Sequence, residues 1–303
     1  MGEVPERVHR LLPMIKVVRV ASSFPGAWLP TSDAEAGAMF DYAQCTFFQV
    51  NGYLVVNDLI PSALIDKVQA AARCEIAEHV RPYRLVGGSI ARLDQLWDRN
   101  IVYREVIEHP RLLDAVEDLL GPNIEYLTRR HNHLTLNGPK HQVPGRGGAG
   151  LHRDSLQWSR PIVTVLVYLD DSTVDTGATR LIPGSHQLLP YVGLPSDGGG
   201  GNHLAEHEEY AGYADQALIC EVPRGGVLLF NSLLFHSAGA NRGTSERMSM
   251  TLGYRSVDEL QPTPVGYAHL VRGQAIYRGN DVDTERLSWQ GDIFPTGSES
   301  EGR

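Results

Sequence analysis

The chain has 303 residues, 42% of them hydrophobic and 21% charged, a composition that suits a single globular domain with a sizeable core. A net charge of −9 and a pI near 5.7 argue against nucleic acid or an anionic membrane as partner, and no apolar run approaches the ~20 residues of a membrane span. Cys45, Cys74 and Cys220 are few and scattered, which suits reduced thiols in a cytoplasm, and Lys16 and Arg19 break the opening apolar run too early for a signal peptide.

Residues 1–32 show no period and read as an arm lying over the domain. Ser32-Asp33 offers a cap for a helix over 34–44, and 46–57 alternates loosely as a strand. Leu64, Ile65, Val68, Ala71 and Ala72 recur at helical spacing within 61–79, and a further helix over 110–120 stops at Gly121-Pro122. From Tyr126 onward strand patterns dominate, over 126–136, 163–169, 179–182, 217–222, 227–230 and 248–254. Helices followed by many short strands give a mainly β class: a double-stranded β-helix, a cupin-like jelly roll supported by N-terminal helices. The expected organisation is one domain, with an arm and helix over 1–46, a core over 47–255 and a C-terminal extension with a frayed tail over 256–303. Two glycine-rich stretches stand out. The first, 138–150, precedes the triplet described next and reads as part of the mouth of a site; the second, 193–214, reads either as a lid over substrate or as a solvated excursion.

The triplet is His152-Arg153-Asp154. Residues i and i+2 of a strand point to one face, so His152 and Asp154 can offer an imidazole and a carboxylate to one point. His236, in Leu-Leu-Phe-His-Ser, supplies a second imidazole, and two His with one carboxylate leave one face of a metal open, the pattern of non-haem Fe(II) oxygenases. Shortly after it comes Arg247, which shares a strand face with Ser249 and Thr251. A guanidinium turned inward needs an anion, and a small dicarboxylate such as 2-oxoglutarate meets its geometry; an ordinary ion pair with a neighbouring acid is the plainer alternative. His131, His133, Thr135 and Asn137 alternate before the first glycine-rich stretch, and Trp158 follows Asp154 closely enough to line a substrate pocket, or else belongs to the core.

These landmarks fall in a recognisable order. Phe48-Gln49-Val50-Asn51-Gly52-Tyr53 opens it, followed by His109-Pro110-Arg111-Leu112-Leu113, Leu119-Leu120-Gly121-Pro122, the triplet, Asp175-Thr176-Gly177 through Pro183-Gly184-Ser185-His186, and Gly225-Gly226-Val227-Leu228-Leu229-Phe230. Over about residues 47–255 the chain resembles the phytanoyl-CoA dioxygenase family of Fe(II)/2-oxoglutarate oxygenases. The resemblance implies that His152, Asp154 and His236 bind Fe(II) and that Arg247 anchors 2-oxoglutarate. Ser249, two residues on, can add a hydroxyl to the same carboxylate, and His133 and Asn137 fall where the family usually carries a Gln or Lys against the co-substrate, or else belong to a polar strand bonded to the neighbouring loop. It implies O₂-dependent oxidation of a C–H bond of a small molecule, by hydroxylation or oxidative cyclisation, with succinate and CO₂ released; Asp154 in place of a small residue disfavours halogenation. The Arg-rich, Lys-poor usage suggests a bacterial natural-product or antibiotic pathway. A non-catalytic sugar- or metal-binding barrel, a cupin isomerase or hydrolase, and an acyl-CoA hydroxylase are the alternatives. The expected protein is a monomer or homodimer.

Overall fold

In a computed structural model, residues 38–139, 150–154, 162–188, 203–206, 208–259 and 266–275 are described. The first helix, α1 (Tyr42–Asn51), starts later than its composition suggests. Asp41 accepts from the Gln44 backbone N–H while the Gln44 side chain accepts from the Asp41 N–H, a capping box that nucleates the helix at this point. Gly52, at φ 82°, ends it in the left-handed cap. The expected strand over 46–57 is therefore helical for its first half, and only β1 (Tyr53–Val56) remains extended. The expected helix over 34–44 survives as no more than the first turn of α1 within the described residues.

Helix α2 (Ser62–Ala77) buries Ile65, Val68 and Ala72, the stripe read from the sequence. Four elements with no counterpart in the sequence reading follow: β2 (Tyr83–Val86), β3 (Ser89–Asp94), α3 (Leu96–Arg99) and α4 (Ile101–Ile107). Gly87 and Gly88, at φ 57° and 81°, turn β2 into β3, the backbone that a two-residue hairpin requires. Helix α5 (Pro110–Leu120) ends at Gly121 as expected. The strand expected over 126–136 divides into β4 (Ile124–Leu127) and β5 (Asn132–Asn137). Buried Asn132 causes the break: its amide donates to Thr128 O, while its oxygen accepts from Tyr126 Oη and Trp97 N, so the intervening residues must turn. The remaining strands are β6 (Val163–Tyr168), β7 (Thr179–Leu181), β8 (Leu218–Cys220), β9 (Val227–Asn231), β10 (His236–Ser237), β11 (Arg247–Ser256) and β12 (Ala268–Arg272).

They form two antiparallel layers. The larger sheet runs β1-β9-β6-β11-β5-β3-β2, with β4 on β11 and β12 on β4; the smaller runs β10-β7-β8. One face of the larger sheet carries Leu134, Leu136, Val163, Val165, Val167, Met248, Met250 and Leu252 against Ile65, Val68, Val106, Leu112 and Val116 of the helices. Its other face carries Tyr168, Leu228 and Phe230, which pack with Leu181, Cys220 and Val222 between the two layers. This is the jelly-roll architecture backed by helices. Period-2 alternation puts His133, Thr135 and Asn137 of β5, Thr164 of β6, and Arg247, Ser249 and Thr251 of β11 on that inner face, where the site is built. No described helix is long and apolar enough to cross a membrane.

Candidate active site

His152 and His236 face each other as a two-way backbone bridge, each N–H donating to the other's carbonyl at 2.9 Å. Directly opposed residues project to the same side, and the two rings stand 4.5 Å apart between centroids. The Asp154 N–H donates to Ser232 O, which holds the carboxylate beside them; the strand expected to carry both ligands is reduced to the His152 bridge, with Asp154 in a bend two residues on. One nitrogen or oxygen from each of His152, Asp154 and His236 lies within 4.8 Å of the other two, and among the described residues these three form the group able to share a metal ion.

The donor set fits such an ion. His152 Nδ1 lies 3.0 Å from Gly150 O and His236 Nδ1 lies 2.9 Å from Leu234 O. A carbonyl only accepts, so each Nδ1 carries the hydrogen and each Nε2 presents its lone pair, the tautomer a metal needs. Burial pushes His236 down to about 4, with His152 and His131 adding to the effect and Asp154 opposing it, so its imidazole is neutral at neutral pH. Burial alone would raise Asp154, but His131, His236 and Arg130 outweigh it and hold the carboxyl ionised well below its usual range. Two imidazole Nε2 atoms and a carboxylate oxygen thus converge on one point.

The carboxylate's oxygens differ in their surroundings. Oδ2 accepts from Thr164 Oγ1 at 2.9 Å and lies 2.9 Å from His131 Nε2. The imidazole stands at hydrogen-bond distance without meeting the N–H direction of one, and as an electrostatic contact it helps hold the carboxyl ionised. Oδ1 faces His236 Nε2 at 3.6 Å.

Arg247 opens β11 opposite Asn137 and is 3% exposed. Its Nε donates to Thr176 O at 3.3 Å, its Cζ lies 5.3 Å from the Tyr168 ring, and its Nη1 is buried without a hydrogen-bond partner. Burial lowers its pKa, with Tyr168 and Asp170 opposing. A buried guanidinium with an unused N–H is costly unless an anion completes it, and a carboxylate supplies the matching acceptors. Ser249 is buried on the same face, two residues on. The Asn137 amide reaches backbone carbonyls of the neighbouring loop, at 3.2 Å from Gly239 O and 3.4 Å from Gly177 O. His133 sits opposite Thr251, away from the Arg247 end, with its Nδ1 buried and unpartnered. Trp158 lies outside the described residues.

Of the residues that reach the triad, Thr164 was not singled out from the sequence, His131 was read only as one of four alternating polar residues, and His203 only as part of the 193–214 insert. Thr164 was readable as an inward hydroxyl of an alternating strand, whereas the turn that aims His131 at Asp154 was hidden by reading 126–136 as one strand. His203, from the glycine-rich insert, bridges to His152 through the backbone, and Leu204 N donates to Leu151 O at 2.8 Å.

Comparison with known proteins places this geometry. The sequence profile of the phytanoyl-CoA dioxygenase (PhyH) family matches residues 48–249. Among curated proteins, "Dioxygenase olcK" of Penicillium canescens is 25% identical over 67% of this chain and 66% of its own, just under two thirds of that relative's length. "Probable phytanoyl-CoA dioxygenase" of Caenorhabditis elegans is 23% identical over 73% and 77%. Among solved structures, EctD from S. alaskensis, described with 2-oxoglutarate and 5-hydroxyectoine, superposes with a TM-score of 0.61 at 22% identity, covering 75% of this chain and 79% of that one. The non-heme alpha ketoglutarate dependent carbocyclase SnoK from nogalamycin biosynthesis gives 0.58 at 18%, covering 73% and 86%. At these identities the superpositions speak for the fold.

Proposed function

The chain belongs to the phytanoyl-CoA dioxygenase family and is an enzyme of dioxygenase type, and on that basis we propose that it uses Fe(II), 2-oxoglutarate and O₂ to oxidise a C–H bond of a small-molecule metabolite. The observation that carries the reading is the joint presence of two imidazole Nε2 atoms and an ionised carboxylate at one point and, on the inner face of the larger sheet, a buried Arg247 whose Nη1 has no partner among the described residues. Together they match the two ends of a metal-chelating dicarboxylic keto acid.

His152, Asp154 and His236 hold the metal on one side and leave the other side for the co-substrate. Arg247, with Ser249 beside it, grips the far carboxylate and so sets the co-substrate's depth and rotation. Bound iron, with 2-oxoglutarate and O₂, supplies the oxidising power; the co-substrate leaves as succinate and CO₂, and the second oxygen atom goes to the metabolite or, in a cyclisation, to water. The protein's share is orientation and exclusion of water. Tyr53, Leu228 and Phe230 pack with the smaller sheet behind the site, and Phe230 lies 4.5 Å from the His236 ring.

The substrate belongs to secondary metabolism in this proposal, and bacterial antibiotic tailoring is the setting that best suits the composition. Support comes from the names of the related proteins, several of them fungal dioxygenases and two of them enzymes of nogalamycin biosynthesis. Hydroxylation and cyclisation share the same opening steps, so the site serves either. We propose in addition that the chain is one domain divided over 1–46, 47–255 and 256–303, and that the 193–214 insert is a lid over substrate, with a solvated excursion as the alternative. Release of succinate under O₂, measured with and without candidate metabolites, tests the reaction class. A metabolite-stimulated, Fe(II)-dependent release is expected, and substrate oxidation without 2-oxoglutarate would overturn it.

A further inference from the structure

The turn between β4 and β5 points a third histidine at the site. His131 stands at φ 54°, a left-handed backbone uncommon outside glycine, although histidine adopts it more readily than most residues. The surroundings are specific. Asn132 ties the turn to Thr128, Tyr126 and Trp97, and Tyr126 Oη also reaches His131 O at 3.4 Å. Beneath it Gly253 of β11 leaves room: a side chain there would meet Arg130 O at 2.8 Å and His131 Cβ at 3.5 Å. The backbone, its polar anchors and a bare glycine thus combine to aim one imidazole at one carboxylate oxygen.

We propose that His131 is a positioning residue for Asp154, and that with Thr164 it keeps that carboxylate a one-oxygen ligand. The inference rests on reading His152, Asp154 and His236 as metal ligands. A free carboxylate can turn and offer both oxygens to a cation, which would use up a coordination position that co-substrate or O₂ needs. Here Oδ2 is occupied from two sides, by the Thr164 hydroxyl and the His131 imidazole, each at 2.9 Å, while Oδ1 alone faces His236 Nε2. Partners behind metal ligands commonly matter by 10–100-fold in metal affinity, roughly the range expected here. His131 enters the chemistry only through Asp154 and touches neither co-substrate nor the oxidised bond.

The test uses the full chain and Co(II) as probe, read by affinity and by its d–d absorption, so that no substrate is needed. His131→Asn and His131→Gly both tolerate the left-handed backbone but cannot reach Asp154, which separates loss of the contact from strain in the turn. Both should bind Co(II) about 10–100-fold more weakly with an altered d–d spectrum, and the melting temperature of the metal-free protein should stay near that of the parent. His131→Gln, which restores a reaching N–H donor, should recover most of the affinity, and the half-saturating 2-oxoglutarate concentration should move far less than metal affinity. Binding within twofold of the parent with an unchanged spectrum in either folded variant would overturn the proposal. If Asp154→Ala abolishes Co(II) binding while the His131 variants keep it, only the positioning role fails; if the parent chain itself binds no Co(II), the metal-site reading falls and this inference with it.

Discussion

Each residue of the site acts through one atom whose partners leave it no other use. The Nδ1 of both His152 and His236 is spent on a backbone carbonyl, so Nε2 is what remains. Arg247 shows the same logic with the opposite charge. Its Nε is committed to Thr176 O while Nη1 waits, buried, for an acceptor. Arg247→Ala is therefore expected to raise the half-saturating 2-oxoglutarate concentration by tens- to thousands-fold, the equivalent of ~2–5 kcal/mol for a buried charge-assisted pair. Arg247→Lys should recover little, since an ammonium cannot make two parallel bonds to one carboxylate. Metal affinity should stay within a few-fold of the parent. A kinetic titration of 2-oxoglutarate at saturating Fe(II) reads this directly, and an unchanged requirement would move the anchor elsewhere.

At the scale of elements, patterns were legible where one periodicity runs unbroken. The apolar stripe of α2, the Gly-Pro stop after α5 and the alternation of β6, β9 and β11 all rest on local sequence, and the elements stand where it puts them. The misreadings share a different cause. The α1 boundary depends on a capping box that outweighs the strand-like run behind it, and the break between β4 and β5 depends on Asn132 meeting Trp97, a partner distant in sequence. The grouping of His152, Asp154 and His236 was legible from the His-x-Asp spacing, although only a bridge at His152 forms there; the support of Asp154 was not, because it comes from a turn. One more long-range element is Arg99, whose guanidinium donates to the carbonyls of Val80, Pro82 and Asp94 and pairs with Glu75 at 3.3 Å. That side chain is 2% exposed, so Arg99→Ala leaves buried Glu75 with the Tyr103 hydroxyl but without its cation and strips those carbonyls of their donor. A loss of roughly 3–5 kcal/mol follows, to be read from denaturant midpoints; a loss under ~1 kcal/mol would mean that water replaces the arginine freely. The insert belongs to this scale too. Leu204 packs with Leu151, Ile182 and Phe235, so its second half is moored beside His152. Shortening the insert should leave metal and 2-oxoglutarate binding intact but lower the ratio of oxidised product to succinate; an unchanged ratio would make it a surface excursion.

The whole molecule couples this site to its stability through buried histidines. His236 is held neutral with its pKa pushed from 6.5 down to about 4, and burial pushes His133 the same way. The unfolded chain takes up protons as the pH falls below 6.5, while the folded chain resists until about 4. Stability is therefore complete above about pH 6.5 and is lost as the pH falls through that window, by on the order of 3 kcal/mol from His236 alone. Melting temperatures of the metal-free chain should fall steadily from pH 7 to 4.5, and a pH-independent melt would show that these histidines titrate freely. A bound divalent ion needs the His236 imidazole neutral, so it should raise the melting temperature most near neutrality and progressively less in acid.

One cluster is proposed to hold Fe(II) while Arg247 holds the other end of a chelated keto acid. An anaerobic titration of 2-oxoglutarate into the Fe(II)-loaded full chain addresses it most directly, because neither O₂ nor the metabolite is required. One equivalent of iron should bind, and 2-oxoglutarate should then raise a saturable metal-to-ligand charge-transfer absorption. That absorption should be absent in Asp154→Ala and shifted to much higher 2-oxoglutarate concentration in Arg247→Ala. Binding of 2-oxoglutarate with no such absorption, or with the same affinity in the metal-free chain and in Arg247→Ala, would contradict the claim.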